Sequence, residues 1–330
     1  MVTVVRPQAE TLRRAVAAAL LAPSVHNTQP WRWRVCTDRV ELYADRDRRL
    51  PATDPDGRDL LVSCGIALGH LHVALAAAGV ASTTLRFPDG DRDRLATVRV
   101  TAGPPDLDAR ADAVLAPAIG RRRSDRRPYP DGVLAAPVRA ALGVRAARRG
   151  ATLLVVDDPA ARAHLVELEA EAAGDARGRP GHAAELLVWT HRYAGSGDGV
   201  HAESVPSGTR WPQEPELGLR FPPGRLPAPS GAPDRAAILV LTTPADDDPA
   251  RLAAGEAASG VLLSATRSGL ATCPLSRVLE SPRTRSAVAS RVLRTTAHPQ
   301  LLIRVGRPPD DRELPATPRR RLSDVLAHGG

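Results

Sequence analysis

The most informative stretch of the sequence is a ten-residue segment rich in short polar side chains. It reads Ala22-Pro23-Ser24-Val25-His26-Asn27-Thr28-Gln29-Pro30-Trp31. Each proline fixes its own φ and pushes the residue before it to extended geometry, so a preceding helix ends here. The pattern predicts a stiff extended loop that presents Ser24, Asn27 and Gln29 in fixed directions. Such a loop suits recognition of a flat ligand rich in heteroatoms. The simpler interpretation is an ordinary turn between a helix and a strand.

The spacing Pro23-Ser24-x-x-Asn27-x-Gln29-Pro30-Trp31 resembles the flavin-contacting signature of the nitroreductase family, whose members hold FMN at a dimer interface. Six residues match at fixed spacing. The resemblance implies that Ser24 and Asn27 contact the polar edge of the isoalloxazine ring or the ribityl hydroxyls. Gln29 is predicted to belong to the same cofactor site, where it braces the loop.

A second motif is the arginine-rich turn Arg121-Arg122-Arg123-Ser124-Asp125-Arg126. The same family grips the FMN phosphate with an Arg-x-Ser-x-Arg/Lys segment and a basic residue near the C-terminus. The resemblance therefore implies phosphate contacts from Arg122, Ser124 and Arg126, and from Gly306-Arg307 after the last predicted strand. Guanidinium groups suit a phosphate because they form charge-assisted, bidentate hydrogen bonds. The alternative is an arginine cluster on a solvated surface.

A third segment, Thr272-Cys273-Pro274-Leu275, matches the family segment whose backbone N–H groups face flavin N5 and O4. Donors in that position stabilise negative charge on the reduced flavin, as an oxyanion hole would. Thr272 and Leu275 complete the predicted cofactor site. Because the cofactor carries the chemistry, no side chain is predicted to be catalytic. Cys273 is predicted to be structural.

The elements that position these motifs alternate between apolar helices and short strands. We predict helices over 11–22, 59–78, 136–149, 158–173, 183–192 and 249–268, and strands over 31–35, 40–44, 82–87, 96–101, 152–156, 236–241 and 301–305. The helix over 59–78 is apolar nearly all round, which predicts a central buried position.

An internal repeat organises these elements. Gly65 and Gly79 are fourteen residues apart, as are Gly255 and Gly269, and each pair ends in Gly-apolar-Ala-hydroxyl. An apolar-Arg-apolar strand follows each copy, at 98–100 and at 303–305. Three aligned features in the same order favour duplication over a chance match between two Ala-rich helices.

The two copies differ in complementary ways. The first keeps the Pro-Ser loop but has Ala102 where the second has Arg307, and the second keeps the arginine turn but lacks the loop. This pattern resembles the fused, single-chain Acg-type branch of the nitroreductases. It implies an α+β, nitroreductase-like fold with halves over 1–105 and 106–330, and a monomer that acts as an internal pseudo-dimer with one FMN.

Residues 174–233 are rich in Pro and Gly and are predicted to be a lid-like insert. The side chains that this insert could carry to the flavin are His191, Arg192, His201 and Trp211. Two functions remain open. One is a reductase that passes hydride from NADH or NADPH through FMN to a nitroaromatic, a quinone or another small molecule. The other is a protein that holds FMN without turnover beneath a closed lid.

Composition argues against other classes of function. The formal net charge is +8, but all 45 basic residues are arginine, and they are interleaved with acidic residues. Aromatic residues make up 3%, too few for a base-stacking platform. No Cys or His spacing suggests a metal site. We expect no membrane span, because no apolar run in the sequence reaches the required length, and the N-terminus has no signal-peptide pattern. The expectation is therefore a cytoplasmic protein without nucleic-acid or membrane partners.

Overall fold

The computed structural model describes residues 9–88, 90–190, 192–193, 195–207, 217, 220–228 and 233–327. It is an α+β fold. The strands are β1 (Trp31–Val35), β2 (Arg39–Ala44), β3 (Ser82–Arg86), β4 (Arg94–Val100), β5 (Thr152–Val155), β6 (Ala237–Thr243), β7 (Ala271–Leu275) and β8 (His298–Gly306). The helices are α1 (Ala9–Ala19), α2 (Arg58–Ala77), α3 (Leu107–Ala113), α4 (Ala116–Arg121), α5 (Ala136–Ala147), α6 (Pro159–Gly178), α7 (His182–Thr190), α8 (Asp248–Arg267), α9 (Arg277–Glu280), α10 (Pro282–Ala287) and α11 (Leu322–Val325).

The strands form two four-stranded sheets with the same topology. Their orders are β1-β2-β4-β3 and β5-β6-β8-β7, and every pairing is antiparallel. The ladders even share an irregularity, because the register shifts between Leu42 and Tyr43 in β2 and between Leu241 and Thr242 in β6. In each half one long helix, α2 or α8, follows the second strand of its sheet. The halves therefore match in topology, as the repeat predicts, and duplication as the origin of that match stays a prediction.

Helices α2 and α8 cross at a pair of glycines. A Cβ built on Gly65 would lie 2.1 Å from the carbonyl oxygen of Leu252 and 2.8 Å from Cα of Gly255. A Cβ built on Gly255 would meet the carbonyl oxygen of Val62 at 2.2 Å and Cα of Gly65 at 2.7 Å. These two glycines are equivalent in the sequence repeat and touch each other in space. A contact between equivalent positions is the geometry of a two-fold axis, here within one chain.

One hydrophobic core spans both halves. Its largest cluster joins Leu12, Trp31 and Leu68 of the first half to Val261 and Ile303 of the second. An ion pair also crosses between the halves, because Arg86 on β3 donates to both oxygens of Glu256 on α8, at 2.6 and 2.9 Å. Burial opposes the charge on Glu256, but bonds from His72 and Arg86 prevail and lower its pKa to about 2. The two predicted halves thus share their largest core cluster, and a second cluster, with Leu165, Val240 and Leu302, lies within the second half.

Two sequence expectations about helices are wrong. Helix α6 continues through Gly174 to Gly178, because Gly174 faces open space and one helical glycine costs only about 1 kcal/mol. Contrary to the expectation from the sequence, helix α2 is long and apolar enough to cross a membrane, but 83% of its most apolar window is buried inside the protein. It is therefore the core helix that its all-round apolar pattern predicts.

The glycine crossing yields the first testable prediction. Gly65→Ala places a methyl group against backbone atoms that have no rotamer to change, so α2 and α8 must move apart. We expect a loss of about 3 kcal/mol or more in the free energy of unfolding, at the upper end of overpacking effects. Urea denaturation followed by circular dichroism measures it.

Gly143→Ala is the matched control, because Gly143 lies inside α5 and a Cβ there meets nothing within 4 Å. It should stabilise the protein by about 0.5–1 kcal/mol, since alanine is the better helix former. Equal stability of Gly65→Ala and the wild-type protein would refute the close crossing.

Candidate functional site

A large cavity lies where the two halves meet. Its empty volume is about 790 Å³, open solvent included. The loop after α1 lines one part, and one face of α2, with Val62, Ser63 and Ile66, lines another. The end of β7 contributes Cys273, Pro274, Leu275 and Ser276. The cavity is therefore built from both halves of the chain.

A smaller pocket, which we call the arginine pocket, adjoins the large cavity. It has an empty volume of about 320 Å³ and shares Pro23, Ser24, Ser124 and Arg126 with the large cavity. Asn27 of the loop also lines it, and the remaining walls come from the 174–233 insert, with Gly199, Val200 and Ser204, and from the C-terminal tail, with Thr317 and Arg319. Together the two compartments can take a ligand with a flat body and a short polar arm.

The Pro23–Pro30 loop is not the extended segment that the sequence predicts. Residues Val25–Asn27 form a single 3₁₀ turn, and φ is positive at His26 (47°), Asn27 (54°) and Gln29 (50°). Ser24 holds the turn closed, because its Oγ accepts from the backbone N–H of Gln29 at 2.9 Å. The prolines fix only the ends of the segment, and these side-chain bonds decide its interior. Left-handed geometry costs about 1–2 kcal/mol for each non-glycine residue, so the surroundings must hold it in place.

The amides of Asn27 and Gln29 provide that support. Asn27 donates to the carbonyl oxygens of Gly199 (3.0 Å) and Pro318 (3.2 Å), and its Oδ1 accepts from Arg319. Gln29 is fully buried, donates to the carbonyl oxygen of Gly197 at 2.8 Å and accepts from the backbone of Arg320. Asn27 lines the arginine pocket, whereas Gln29 does not. Gln29 thus stabilises the loop, as predicted, because its hydrogen bonds connect the loop to the insert and to the tail.

The arginine pocket collects positive charge without a carboxylate. Arg126 and Arg319 line it, and Arg122 lies behind its wall, 3.5 Å from the hydroxyl of Ser124. Arg122 and Arg319 both donate weakly to the carbonyl oxygen of Leu21, so their guanidinium groups are neighbours. Within the described parts of the chain, none of the three arginines forms an ion pair, and Nε of Arg122 and of Arg319 has no hydrogen-bond partner.

The electrostatics of this cluster favour an anion. Burial, then the charges of Arg319 and Arg123, lower the pKa of Arg122 to about 9. Burial and the charge of Arg123 lower the pKa of Arg319 to about 10. Such shifts mean that the protonated forms are strained by desolvation and mutual repulsion. An anion in the pocket would offset the repulsion between these guanidinium groups.

The predicted β7 residues lie partly on the cavity. Cys273, Pro274 and Leu275 line it, whereas Thr272 is buried behind it. The carbonyl oxygen of Thr272 accepts from the backbone N–H of Asp125 at 2.9 Å, which joins β7 to the arginine turn. Burial raises the pKa of Cys273, so its thiol stays protonated, consistent with the structural role predicted for it.

The prediction for Gly306 and Arg307 needs correction, because neither residue lines either compartment. Gly306 ends β8 against Tyr129, where a Cβ would lie 2.6 Å from the carbonyl oxygen of Asp131. The side chain of Arg307 is 76% exposed and lies 3.8 Å from the carboxylate of Asp131. The basic residue from the C-terminal region is instead Arg319, because the tail after β8 runs back to the Pro23–Pro30 loop.

Some residues that line the cavity were not predicted from the sequence. The insert contributes Arg220 and Phe221 to the cavity wall, and the loop contributes His26. Arg126 stacks over the ring of Phe221 at 5.2 Å and donates to the carbonyl oxygen of Ser204. The only sequence signal for these contacts is the aromatic content of the insert. Of the side chains predicted to reach the ligand from there, His191 and Trp211 lie outside the described residues, and Arg192 and His201 do not line either compartment.

The chain is similar to several known proteins. No protein-family model matches the chain. A Mycobacterium tuberculosis protein named "Putative NAD(P)H nitroreductase Rv3131" is 46% identical over 325 residues, 97% of this chain and 92% of that protein. A second M. tuberculosis protein, named "Putative NAD(P)H nitroreductase acg", is 35% identical over 326 residues, which are 96% of this chain and 95% of that protein. A solved Desulfitobacterium hafniense nitroreductase with bound FMN is similar at 13% identity and a TM-score of 0.40, over 66% of this chain and 98% of that one.

The arginine pocket yields the second testable prediction. Arg122→Met keeps an unbranched side chain, shorter than that of arginine, but removes the buried charge. We expect the ligand-free protein to gain stability, by about 1–3 kcal/mol, since a buried charge without a partner is removed. We also expect inorganic phosphate to bind roughly tenfold more weakly, as thermal shift against phosphate concentration would measure.

Arg307→Met is the matched control, because its side chain is exposed and faces Asp131. It should change neither the stability nor the phosphate response. If phosphate stabilised Arg122→Met as strongly as it stabilises the wild-type protein, the cluster would not be an anion site.

Proposed function

The chain belongs to the NAD(P)H nitroreductase family, and from that premise we propose that it is an FMN-dependent oxidoreductase. In this proposal the protein uses NADH or NADPH as a transient electron donor and a nitroaromatic, a quinone or another small molecule as the acceptor. The observation that carries the proposal is the arginine pocket without a carboxylate, placed directly beside a largely apolar cavity.

The residues present fit FMN in chemistry as well as in position. Arg126, Arg319 and the hydroxyls of Ser24 and Ser124 would hold the phosphate, and Arg122 would add its charge from behind the wall. Asn27 would orient Arg319 through the bond at Oδ1 instead of contacting the flavin itself. The large cavity, with Cys273, Pro274 and Leu275 on one wall, would take the ring.

Bound FMN would supply the hydride-transfer chemistry. The protein's own part is to bind, to orient and to keep charge in place. The apolar side chains of Val62, Ile66 and Leu301 line one side of the cavity. One composite site per chain follows from the arrangement, because the loop lies in one half and the arginine turn in the other. The protein would then act as a monomer with an internal interface.

A second candidate function, FMN binding without turnover, is supported by the contacts of the insert. The first described part of the insert is anchored to the rest of the protein: Asp198 pairs with Arg48 and Arg192, and Glu185 accepts from the backbone N–H groups of Ala52 and Thr53. A segment held this firmly could exclude a nicotinamide. The protein would then hold FMN without turnover.

The third prediction concerns FMN binding. Arg319→Ala removes a charged partner of the phosphate, which typically costs about 1.5–3 kcal/mol, or roughly 10- to 150-fold in affinity. We expect largely flavin-free protein after dialysis, measured by flavin absorbance per chain. The tail should stay docked, because its backbone also bonds to Gln29 and Trp33.

Arg307→Ala serves as the control and should retain FMN like the wild-type protein. Equal retention by both variants would remove Arg319 from the phosphate site. Loss of FMN from Arg307→Ala alone would restore the assignment that the sequence suggested.

The fourth prediction separates the two functions. In the anaerobic wild-type holoprotein, NADH or NADPH should bleach the flavin absorbance, and a quinone should restore it. Dithionite supplies the control, since it reduces flavin without needing room for a nicotinamide. Bleaching by dithionite but by neither nucleotide would favour the flavin-holding function over the reductase.

A further inference from the structure

His26 occupies an unusual position in the Pro23–Pro30 loop. Its φ is 47°, its side chain is 5% exposed, and it lines the large cavity. Its ring meets the ring of Phe221 edge-on, with centroids 5.3 Å apart and an interplanar angle of 72°. A strained, buried imidazole on a cavity wall has a conformation that the surrounding structure imposes.

A neighbouring arginine fixes the tautomer of this imidazole. Nη1 of Arg220 lies 2.8 Å from Nε2 of His26. Guanidinium can donate but not accept, so Nε2 must be the acceptor and carries no hydrogen. Burial, followed by the charges of Arg220, His182 and Arg126, keeps the pKa of His26 well below its ordinary value. The ring is therefore neutral, and its single N–H is at Nδ1.

Arg220 is itself held in place. Its other Nη atom pairs with Glu280, whose Oε1 also accepts from the hydroxyl of Ser276 at 3.1 Å. The charge of Glu280 and its hydrogen bond outweigh burial and raise the pKa of Arg220, so the guanidinium stays charged. Glu280 of α9 therefore positions Arg220 of the insert, and Arg220 positions His26 of the loop.

The remaining donor has no partner among the residues that the structure describes, because Nδ1 of His26 is buried without a hydrogen bond. A buried donor left unsatisfied costs about 1–3 kcal/mol. We propose that the Nδ1–H of His26 donates to a neutral oxygen acceptor of the bound ligand, of the carbonyl, quinone or nitro type, and that Arg220 and Glu280 are positioning residues that fix this donor. The inference rests on the proposed function, because it concerns the same cavity.

The chemistry limits what His26 does. A neutral imidazole that gave up its Nδ1 hydrogen would become an anion, which a buried site does not stabilise without a counter-charge on that side. His26 therefore orients and polarises an oxygen atom and does not deliver a proton. Two sources carry such an oxygen, a carbonyl of the flavin ring and the acceptor molecule, and the experiment separates them.

The first measurement determines the tautomer of His26 directly and does not depend on an activity assay. ¹⁵N-edited NMR of the imidazole, assigned by comparison with His26→Asn, should show the hydrogen on Nδ1 in the wild-type protein. Arg220→Gln should let the second tautomer appear. A hydrogen on Nε2, or a doubly protonated ring at neutral pH, in the wild-type protein would overturn the proposal. This readout stands even if the protein fails to bind FMN, so the two proposals can fail separately.

The second measurement uses two variants at the same position. The amide nitrogen of asparagine can replace Nδ1, and asparagine tolerates positive φ, whereas His26→Leu removes the donor. His26→Leu should weaken one interaction by about 3- to 10-fold, the worth of a neutral hydrogen bond, and His26→Asn should restore most of it. A change in the FMN dissociation constant identifies the flavin as the source, and a change in the KM for p-benzoquinone with unchanged FMN affinity identifies the acceptor.

The outcomes that contradict the proposal are equally definite. If His26→Leu folds and changes neither quantity, the imidazole only fills space. If His26→Asn is as impaired as His26→Leu, the loss is one of shape and not of a donor. Should His26→Leu fail to fold because leucine is strained at this φ, the tautomer measurement and His26→Asn still decide the question.

Discussion

The close contact between Gly65 and Gly255 is the constraint on which the rest of the molecule depends. With no Cβ at the crossing, α2 and α8 approach to backbone contact, and each helix brings its own sheet with it. The face of α2 next to the crossing, with Val62 and Ile66, then becomes a wall of the cavity. β7, which follows α8, supplies another. A wider crossing would separate these walls, so the site exists because two small residues meet at one point.

The site that this crossing creates contains features that destabilise the ligand-free protein. Buried arginines repel one another, three residues of the loop hold left-handed geometry, and a buried imidazole leaves a donor unused. Each feature destabilises by an amount of order 1 kcal/mol or more. A ligand with an anionic arm and an oxygen-bearing ring would offset the first and the last. Features that lower the stability of the folded protein in this way are expected at functional sites.

The insert and the tail are structural parts of the site. Gln29 bonds to Gly197 on one side and Arg320 on the other, and Asn27 bonds to Gly199, Pro318 and Arg319 in the same way. Two amides therefore fasten two distant segments to one turn. This explains why amide side chains suit these positions, since an amide both donates and accepts. The insert then carries Arg220 and Phe221 to the cavity, where they set the environment of His26.

The sequence by itself determined the long helices, most of the strands, the repeat and the location of the loop and the arginine turn, but not β7 or the short helices. These features depend on local rules: proline and glycine end helices, apolar periodicity marks the buried faces, and short motifs keep their spacing. Ser24, Ser124 and Arg126, which the sequence predicts at one cofactor site, line one pocket in the structure. Only the tertiary structure decided that Arg319 and not Arg307 reaches this pocket, that Gln29 braces distant segments, and that Arg220 fixes the tautomer of His26. Those choices depend on where the tail and the insert return after more than a hundred residues of intervening chain, and in a sequence whose basic residues are all arginine, residue type does not distinguish the one that returns from those that stay at the surface.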